Sequence, residues 1–163
     1  MKAIKRNKLA RSTIQHFEFA DVLTNNITGE KSLHATKIFQ PNDIICNFSA
    51  VITSHIPTHL TLQVALHQHI VLAPEFLQFT NHSCNPNVFF NTTTYELIAL
   101  KEIYKGDEIT FFYPSTEWNM TQAFVCNCGH KNCLQNIRGA AYLTKESLSN
   151  YRLTDFILKM LLQ

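Results

Sequence analysis

Asn81-His82-Ser83-Cys84-Asn85-Pro86-Asn87 packs an amide, an imidazole, a hydroxyl and a thiol into seven consecutive residues. Pro86 keeps them out of a helix interior or a central strand, because it lacks an N–H and fixes its own φ. Asn85-Pro86 and the neighbouring asparagines favour tight turns, some with left-handed backbone. The run just before, Ile70-Val71-Leu72-Ala73 and then Phe76-Leu77-Gln78-Phe79, is apolar enough to be buried. Polar, coordinating chemistry is therefore set on the rim of a hydrophobic interior. Its thiol has candidate partners far down the chain.

Composition bounds the rest. The chain has 163 residues, 45% hydrophobic and 16% charged, which suits one globular domain. A domain of this size buries roughly 70% of its extended surface and needs no covalent staples to fold. A net charge of +2 permits contact with nucleic acid without arguing for it. The sequence has no apolar run of the roughly 18 residues that a membrane helix needs. No secretory core stands at the start. Five cysteines, an odd number with three of them clustered, read better as a metal site in a reducing compartment than as disulfides. The expectation is an intracellular protein, cytoplasmic or nuclear.

Met1 to Ser12 carries Lys2, Lys5, Arg6, Lys8 and Arg11 without an acid, and reads as a solvated basic tail. Such a tail can also serve as a localisation signal or as a pseudosubstrate for a lysine-handling enzyme. From Ile14 to Phe48, short apolar pieces alternate with Asn25-Asn26, Gly29 and Pro41-Asn42-Asp43, the rhythm of short strands and tight turns. Ala65-Leu66-His67 reads as part of a short helix. Val88–Asn91 and Tyr95–Leu100 read as two strands around a threonine turn, and Glu108–Tyr113 as a third, ended by Pro114. Thr144 and Thr154 are N-caps for two closing helices that pack as a lid. The architecture expected is mostly β, with short helices at the end.

Cys126-Asn127-Cys128-Gly129-His130-Lys131-Asn132-Cys133 is the strongest chemical signal. Three thiolates this close favour a soft tetrahedral ion, ordinarily zinc. The fourth position falls to Cys84 or, locally, to His130. A set of four protein ligands leaves no place for water, so the ion is structural. Cys46 stands alone among apolar residues and reads as a buried free thiol. His55 and His59 are separated by Pro57, and His67 and His69 have no carboxylate or thiol beside them, so both pairs read as solvated surface.

The motif 81–87, then Gly106-Asp107-Glu108-Ile109-Thr110-Phe111-Phe112-Tyr113, then the Cys126–Cys133 cluster, together resemble the SET-domain protein lysine methyltransferases with their post-SET zinc motif. The resemblance covers roughly residues 27–139. It implies a SET-domain, β-clip-like fold in which the segment after Tyr113 passes through a loop near Asn81, a pseudoknot. It also implies S-adenosylmethionine as methyl donor and a protein lysine, for example on a histone, as substrate. It divides the chain into a basic tail (1–13), a SET domain (14–120), a post-SET zinc segment (121–139) and a helical extension (140–163). By the resemblance, Tyr113 is the catalytic tyrosine, and Asn81 and His82 hold the cofactor together with Lys31, Ser32, Leu33 and Tyr113. Phe111 and Tyr113 line the substrate channel, with Phe111 at a position where Phe rather than Tyr leaves room for more than one methyl group. Cys84, Cys126, Cys128 and Cys133 share one zinc ion. The family's Gly-x-Gly cofactor loop reads Glu30-Lys31-Ser32 here, without either glycine. That departure supports the alternative of a SET-like binding module with weak or absent turnover.

Overall fold

The computed structural model describes residues 11–163, so the tail lysines Lys2, Lys5 and Lys8 lie outside the described residues. β1 (Arg11–His16), β2 (Ala20–Asn25) and β3 (Lys31–Ala35) form an antiparallel meander. Arg11 to Thr13, read from sequence as tail, are thus the start of a strand, with Arg11 opposite Asn25 and Ser12 opposite Thr24. Every residue of β1 is exposed, which is why no hydrophobic period betrays it. The turn between β2 and β3 is built by Asn25, whose side-chain oxygen accepts the N–H groups of Ile27 (2.9 Å) and Thr28 (3.2 Å). Gly29 closes that turn at φ 75°, a conformation glycine adopts without penalty.

The chain continues through β4 (Ile44–Asn47), β5 (Ser49–Ser54), β6 (Thr61–Ala65), β7 (Gln68–Ala73), β8 (Asn81–His82), β9 (Val88–Asn91) and β10 (Glu96–Ala99). Two more antiparallel sheets result, in the orders β5-β7-β6 and β4-β10-β9. The helix expected at Ala65-Leu66-His67 is instead a hairpin, with Ala65 opposite Gln68 and Leu66-His67 at the bend. Pairing β7 on both edges outweighs the local helix preference of Ala and Leu. His69 is corrected as well. It is only 4% exposed, because its place on the central strand β7 turns it inward, whereas His55, His59 and His67 are exposed.

Of the expected strand Glu108–Tyr113, only β11 (Thr110–Phe111) is regular. It runs parallel to β8, with Thr110 beside Asn81 and Phe111 beside His82. Just upstream, Ile109 N–H donates to Leu33 O at 2.7 Å, which ties the segment to β3. Downstream, residues Tyr113–Ser115 coil into a 3-10 turn around Pro114. Beyond it lie β12 (Phe124–Val125) and β13 (Asn136–Ile137), an antiparallel pair, and the helices α1 (Lys145–Leu148) and α2 (Asp155–Met160). The caps are as expected: Thr144 accepts from Ser147 N–H and Thr154 from Ile157 N–H.

One buried cluster, including Leu33, Ile70, Phe90, Leu97, Ile103 and Ile109, joins the three larger sheets. A second holds Phe112, Ala140, Leu148 and Ile157, and so fastens the closing helices to the back of the Phe111-Phe112-Tyr113 segment. The Tyr151 ring stacks on Phe112 at 3.6 Å with 7° between planes. The chain reaches this packing through Gly139, where φ is 115° and a Cβ would lie 2.5 Å from the Trp118 carbonyl oxygen. Only glycine fits there.

Candidate active site and metal cluster

The loop 82–87 is wrapped around β11 by its own polar groups. Asn87 is the principal clasp: its side-chain oxygen accepts Thr110 N–H at 2.8 Å, and its amide donates to Glu108 O at 2.9 Å. Main-chain bonds from Ser83 N–H to Phe111 O and from Asn87 N–H to Thr110 O, both 3.0 Å, complete the grip. Ser83 also caps its own turn, its hydroxyl accepting Asn85 N–H at 3.0 Å. These contacts bring Asn81, His82 and Tyr113 to one wall of a cleft of about 1450 Å³.

Along that wall, the Asn81 amide donates to Lys31 O and to a Glu108 carboxylate oxygen, each at 3.0 Å, which leaves the Asn81 side-chain oxygen for a ligand. His82 Nδ1 accepts Tyr113 N–H at 3.2 Å, so the proton of the neutral ring belongs on Nε2, which stands 3.4 Å from Cys84 Sγ. Burial pulls the His82 imidazole down to about 4, so the ring is neutral at physiological pH. The Tyr113 hydroxyl lies 3.4 Å from Thr80 O, and both residues line the cleft. Burial, and next the carboxylates of Glu117 and Glu108, push its phenol up to about 12, so it stays protonated and can donate.

Phe111 and Tyr113 share one side, with ring centroids 4.7 Å apart, while Phe112 turns into the second core, as strand alternation requires. Phe124 closes the opposite side of His82 at 5.6 Å, edge to face. Trp118 packs instead with the closing helices.

The Sγ atoms of Cys84, Cys126, Cys128 and Cys133 all lie within 4.8 Å of one another. A tetrahedral ion held at metal–sulfur distances of about 2.3 Å sets its sulfurs about 3.8 Å apart. The observed spacing, 4.0 Å between Cys84 and Cys126, fits that geometry and is too long for a disulfide. The cluster can therefore hold a metal ion. Burial pushes the Cys84 thiol well above its ordinary range and that of Cys126 up to about 11, a penalty on charge that a bound cation would offset. Leu134 N–H donates to Cys84 Sγ at 3.4 Å, as backbone amides do to ligating sulfur. His130, the local rival for the fourth position, is not in the group and stands 3.5 Å from the Asn85 amide instead. Cys46 is remote, half-buried in β4, with burial raising its thiol to about 12.

Of the residues singled out in the sequence, Lys31, Asn81, His82, Phe111, Tyr113, Cys126 and Cys128 line the one cleft. Ser32 and Leu33 do not: Leu33 is in the main core, and Ser32 is 3% exposed with its hydroxyl 3.0 Å from His34. The family glycine positions are thus filled by a buried serine and by Glu30, which is exposed and takes the Thr28 hydroxyl. Sequence reasoning missed Glu117, whose carboxyl lines the same cleft. Its one local signal is a position four residues beyond Tyr113.

The SET domain family model matches residues 30–114. The chain is 39% identical over 116 residues to methyltransferase flvH of Aspergillus flavus, covering 68% of this chain and 65% of that protein. It is 32% identical over 84 residues to an H3 lysine-36 specific histone-lysine N-methyltransferase of Saccharomyces cerevisiae, covering 48% of this chain and 11% of that one. Among solved structures, KRYPTONITE in complex with mCHG DNA and SAH superposes over 75% of this chain and 30% of its own, with a TM-score of 0.57 at 18% identity. That likeness speaks for the fold. The chain thus spans just under two thirds of the first of these relatives and a small part of the others. No helix among the described residues is long and apolar enough to cross a membrane. With a matched segment that runs from the turn before β3 to the proline after Tyr113, and with the fold of a SET protein around it, the chain belongs to the SET-domain family.

Proposed function

We propose that the chain is an S-adenosylmethionine-dependent protein-lysine N-methyltransferase of small, single-domain SET type, acting on a lysine of a histone or another protein. The observation that carries this reading is the meeting of Asn81, His82 and Tyr113 on one cleft wall, directly beside four cysteines with metal-site spacing. In it, residues 14–120 are the SET domain, 121–139 the post-SET segment and 140–163 a helical extension. Cys84, Cys126, Cys128 and Cys133 hold one structural zinc ion. KRYPTONITE binds SAH, and its complex with a histone H3 peptide carries the same fold, which supports a cofactor and a protein substrate of this kind here.

The cleft suits a cationic methyl donor. The Glu108 carboxylate, the Thr80 carbonyl and the Tyr113 phenol present oxygen, and Gly29, Glu30 and Lys31 line the same space. When bound, S-adenosylmethionine supplies an electrophilic methyl group on a positively charged sulfur. Asn81 and His82 would hold it with Tyr113 and Lys31, which line the cleft, whereas Ser32 and Leu33 are turned away from it. Methyl transfer is an in-line displacement, so holding donor and amine in register supplies much of the rate. Phe111 and Tyr113 form the aromatic end of the lysine channel, and Phe111, having no hydroxyl, leaves room for a methylated amine to turn. The amine must also be neutral. A free lysine side chain with pKa about 10.4 costs roughly 4.6 kcal/mol to deprotonate at pH 7, and a dry, aromatic channel lowers that cost by disfavouring the ammonium. Tyr113, protonated throughout the physiological range, orients the lone pair.

Isothermal titration with S-adenosylmethionine, followed by radiolabelled methyl transfer to mixed histones, tests the reading. Binding with label transfer that Tyr113→Phe abolishes supports it. Cofactor binding without transfer to any lysine substrate favours a SET-like binding module, for which Glu30 and the buried Ser32 in place of two glycines are the motivating features.

A further inference from the structure

Glu117 is the one carboxyl deep in the cleft that the account above leaves without a task. It sits one helical turn beyond Tyr113, held there by its own N–H donating to Tyr113 O at 3.0 Å. One carboxylate oxygen, Oε1, accepts both Gln63 N–H from β6 at 2.8 Å and the Thr116 hydroxyl at 3.3 Å. The other oxygen accepts no hydrogen bond from any described residue. Nor does a Lys, Arg or His among the described residues pair with this group, although ion pairs do form at Glu18, Asp21 and Glu108. Its anchor is anchored in turn: the Gln63 side chain, itself only 4% exposed, accepts Trp118 N–H at 2.8 Å. A carboxylate fixed this firmly, lining a cleft with one oxygen unused and no cation beside it, is arranged for a cation that arrives from outside.

We infer that Glu117 is a second catalytic residue, whose free oxygen receives the ammonium group of the incoming lysine and takes the proton that must leave before methyl transfer. This rests on the methyltransferase reading and adds the proton acceptor that reading lacks. The ammonium passes one proton to Glu117, giving a neutral amine and a neutral carboxyl. The nitrogen lone pair then forms the N–C bond while the C–S bond of the sulfonium breaks, and that electron pair returns to sulfur as a thioether. The product is a methylated ammonium, and the carboxyl proton leaves to solvent through the open cleft. Burial raises the Glu117 carboxyl to about 7, against the lowering effect of the Gln63 N–H and the Thr116 hydroxyl, which suits an acceptor working near neutrality. The groups facing it are Gln63 from β6, Thr116 and Tyr113 from its own segment, and the Ala140 main chain, whose N–H donates to Glu117 O. Of these only Tyr113 titrates, far above the range that matters.

Glu117→Gln separates this role from a structural one, because the amide oxygen can still accept Gln63 N–H. With histone substrate, the variant is expected to bind S-adenosylmethionine as the wild type does, to lose about 100-fold in kcat/KM, and to lose the rise of kcat/KM through pH 7. An unchanged rate and pH profile would overturn the inference. A second readout needs no turnover: the Glu117 side-chain carbon of 13C-glutamate-labelled protein, assigned with Glu117→Asp and titrated with S-adenosylhomocysteine present. Adding n-butylamine, the minimal lysine side chain, is expected to lower the titration midpoint by about one pH unit, since a cation seated on the carboxylate favours its charged form. A midpoint that ignores saturating amine sinks the inference even where the Gln variant does not fold. Should the wild type methylate no histone lysine, the substrate reading fails while the carboxyl titration still decides the role of Glu117.

Discussion

Replacing Cys84 with serine tests whether the two distant cysteine positions act as one site. Cys84 comes from the loop after β8, and the other three sulfurs from a segment more than 40 residues later, yet all four lie within 4.8 Å. Structural zinc in small peptides is worth about 10–16 kcal/mol of apparent free energy, so one thiolate in four carries about 2.5–4 kcal/mol. At 1.4 kcal/mol per decade, Cys84→Ser is expected to weaken zinc binding by about 10²–10³. Competition against a chromophoric zinc chelator measures this, and native mass spectrometry counts the ions per chain. Cys46→Ser is the control: Cys46 is outside the group, and its replacement should leave both affinity and stoichiometry unchanged. The consequence should spread to the cleft, since His82 Nε2 faces Cys84 Sγ and its ring packs on Phe124 beside the cluster. If Cys84→Ser binds one zinc as tightly as the wild type, position 84 is no ligand, and the link between cluster and cleft falls with it.

Asn87→Ala leaves Thr110 N–H and Glu108 O without their side-chain partner, and at about 1–3 kcal/mol per stranded group it should cost about 2–6 kcal/mol in urea unfolding. Tyr151→Phe keeps the stack on Phe112 but loses the hydrogen bond to Cys84 O, so about 1 kcal/mol is expected, whereas Tyr151→Ala loses both and should lower Tm by several degrees more. The Glu117 carboxyl, at about 7 folded against 4.5 unexposed to the fold, holds an extra proton in the native state between those values. Stability is therefore full below about 4.5 and falls as pH rises through 7, by up to about 3 kcal/mol, and urea midpoints at pH 5 and pH 8 should differ by less in Glu117→Gln.

What could be read from the sequence was local: chemistry and caps each confined to a short stretch. Cys126, Cys128 and Cys133 announce a metal site by spacing alone, and Asn81–Asn87 announces a polar loop on an apolar rim. The alternation that sends Phe111 and Tyr113 one way and Phe112 the other is also legible, even though regular strand stops at Phe111. Features that depend on a partner far along the chain were not. β1 is exposed on every residue, and only the ladder to β2 makes it a strand. His69 looks like its exposed neighbour His67 until β5 and β6 pair on either side of β7 and bury it. Glu117 reads as an ordinary surface acid, because the residue that holds it, Gln63, lies 54 positions upstream on β6.

The segment that matches the SET domain ends at residue 114, yet the site does not. Three of the four sulfurs, the cleft carboxyl of Glu117 and the aromatic wall at Phe124 all come from later residues. One small loop gathers several of the ties between them and the matched part. The Cys84 carbonyl receives both the Asn132 amide at 2.9 Å and the Tyr151 hydroxyl at 3.0 Å, while Lys101 Nζ donates to the Asn85 carbonyl and side-chain oxygen at 3.0 and 2.8 Å. Cluster segment, closing helices and the strand-10 side of the domain therefore converge on residues 84 and 85. A disturbance on any of the three reaches His82, two residues away, and through its hydrogen bond from Tyr113 N–H reaches the phenol on the cleft wall. The closing helices, outside the matched segment, thus touch the loop that carries Cys84 through the Tyr151 hydroxyl, and the back of the Phe111-Phe112-Tyr113 segment through its ring.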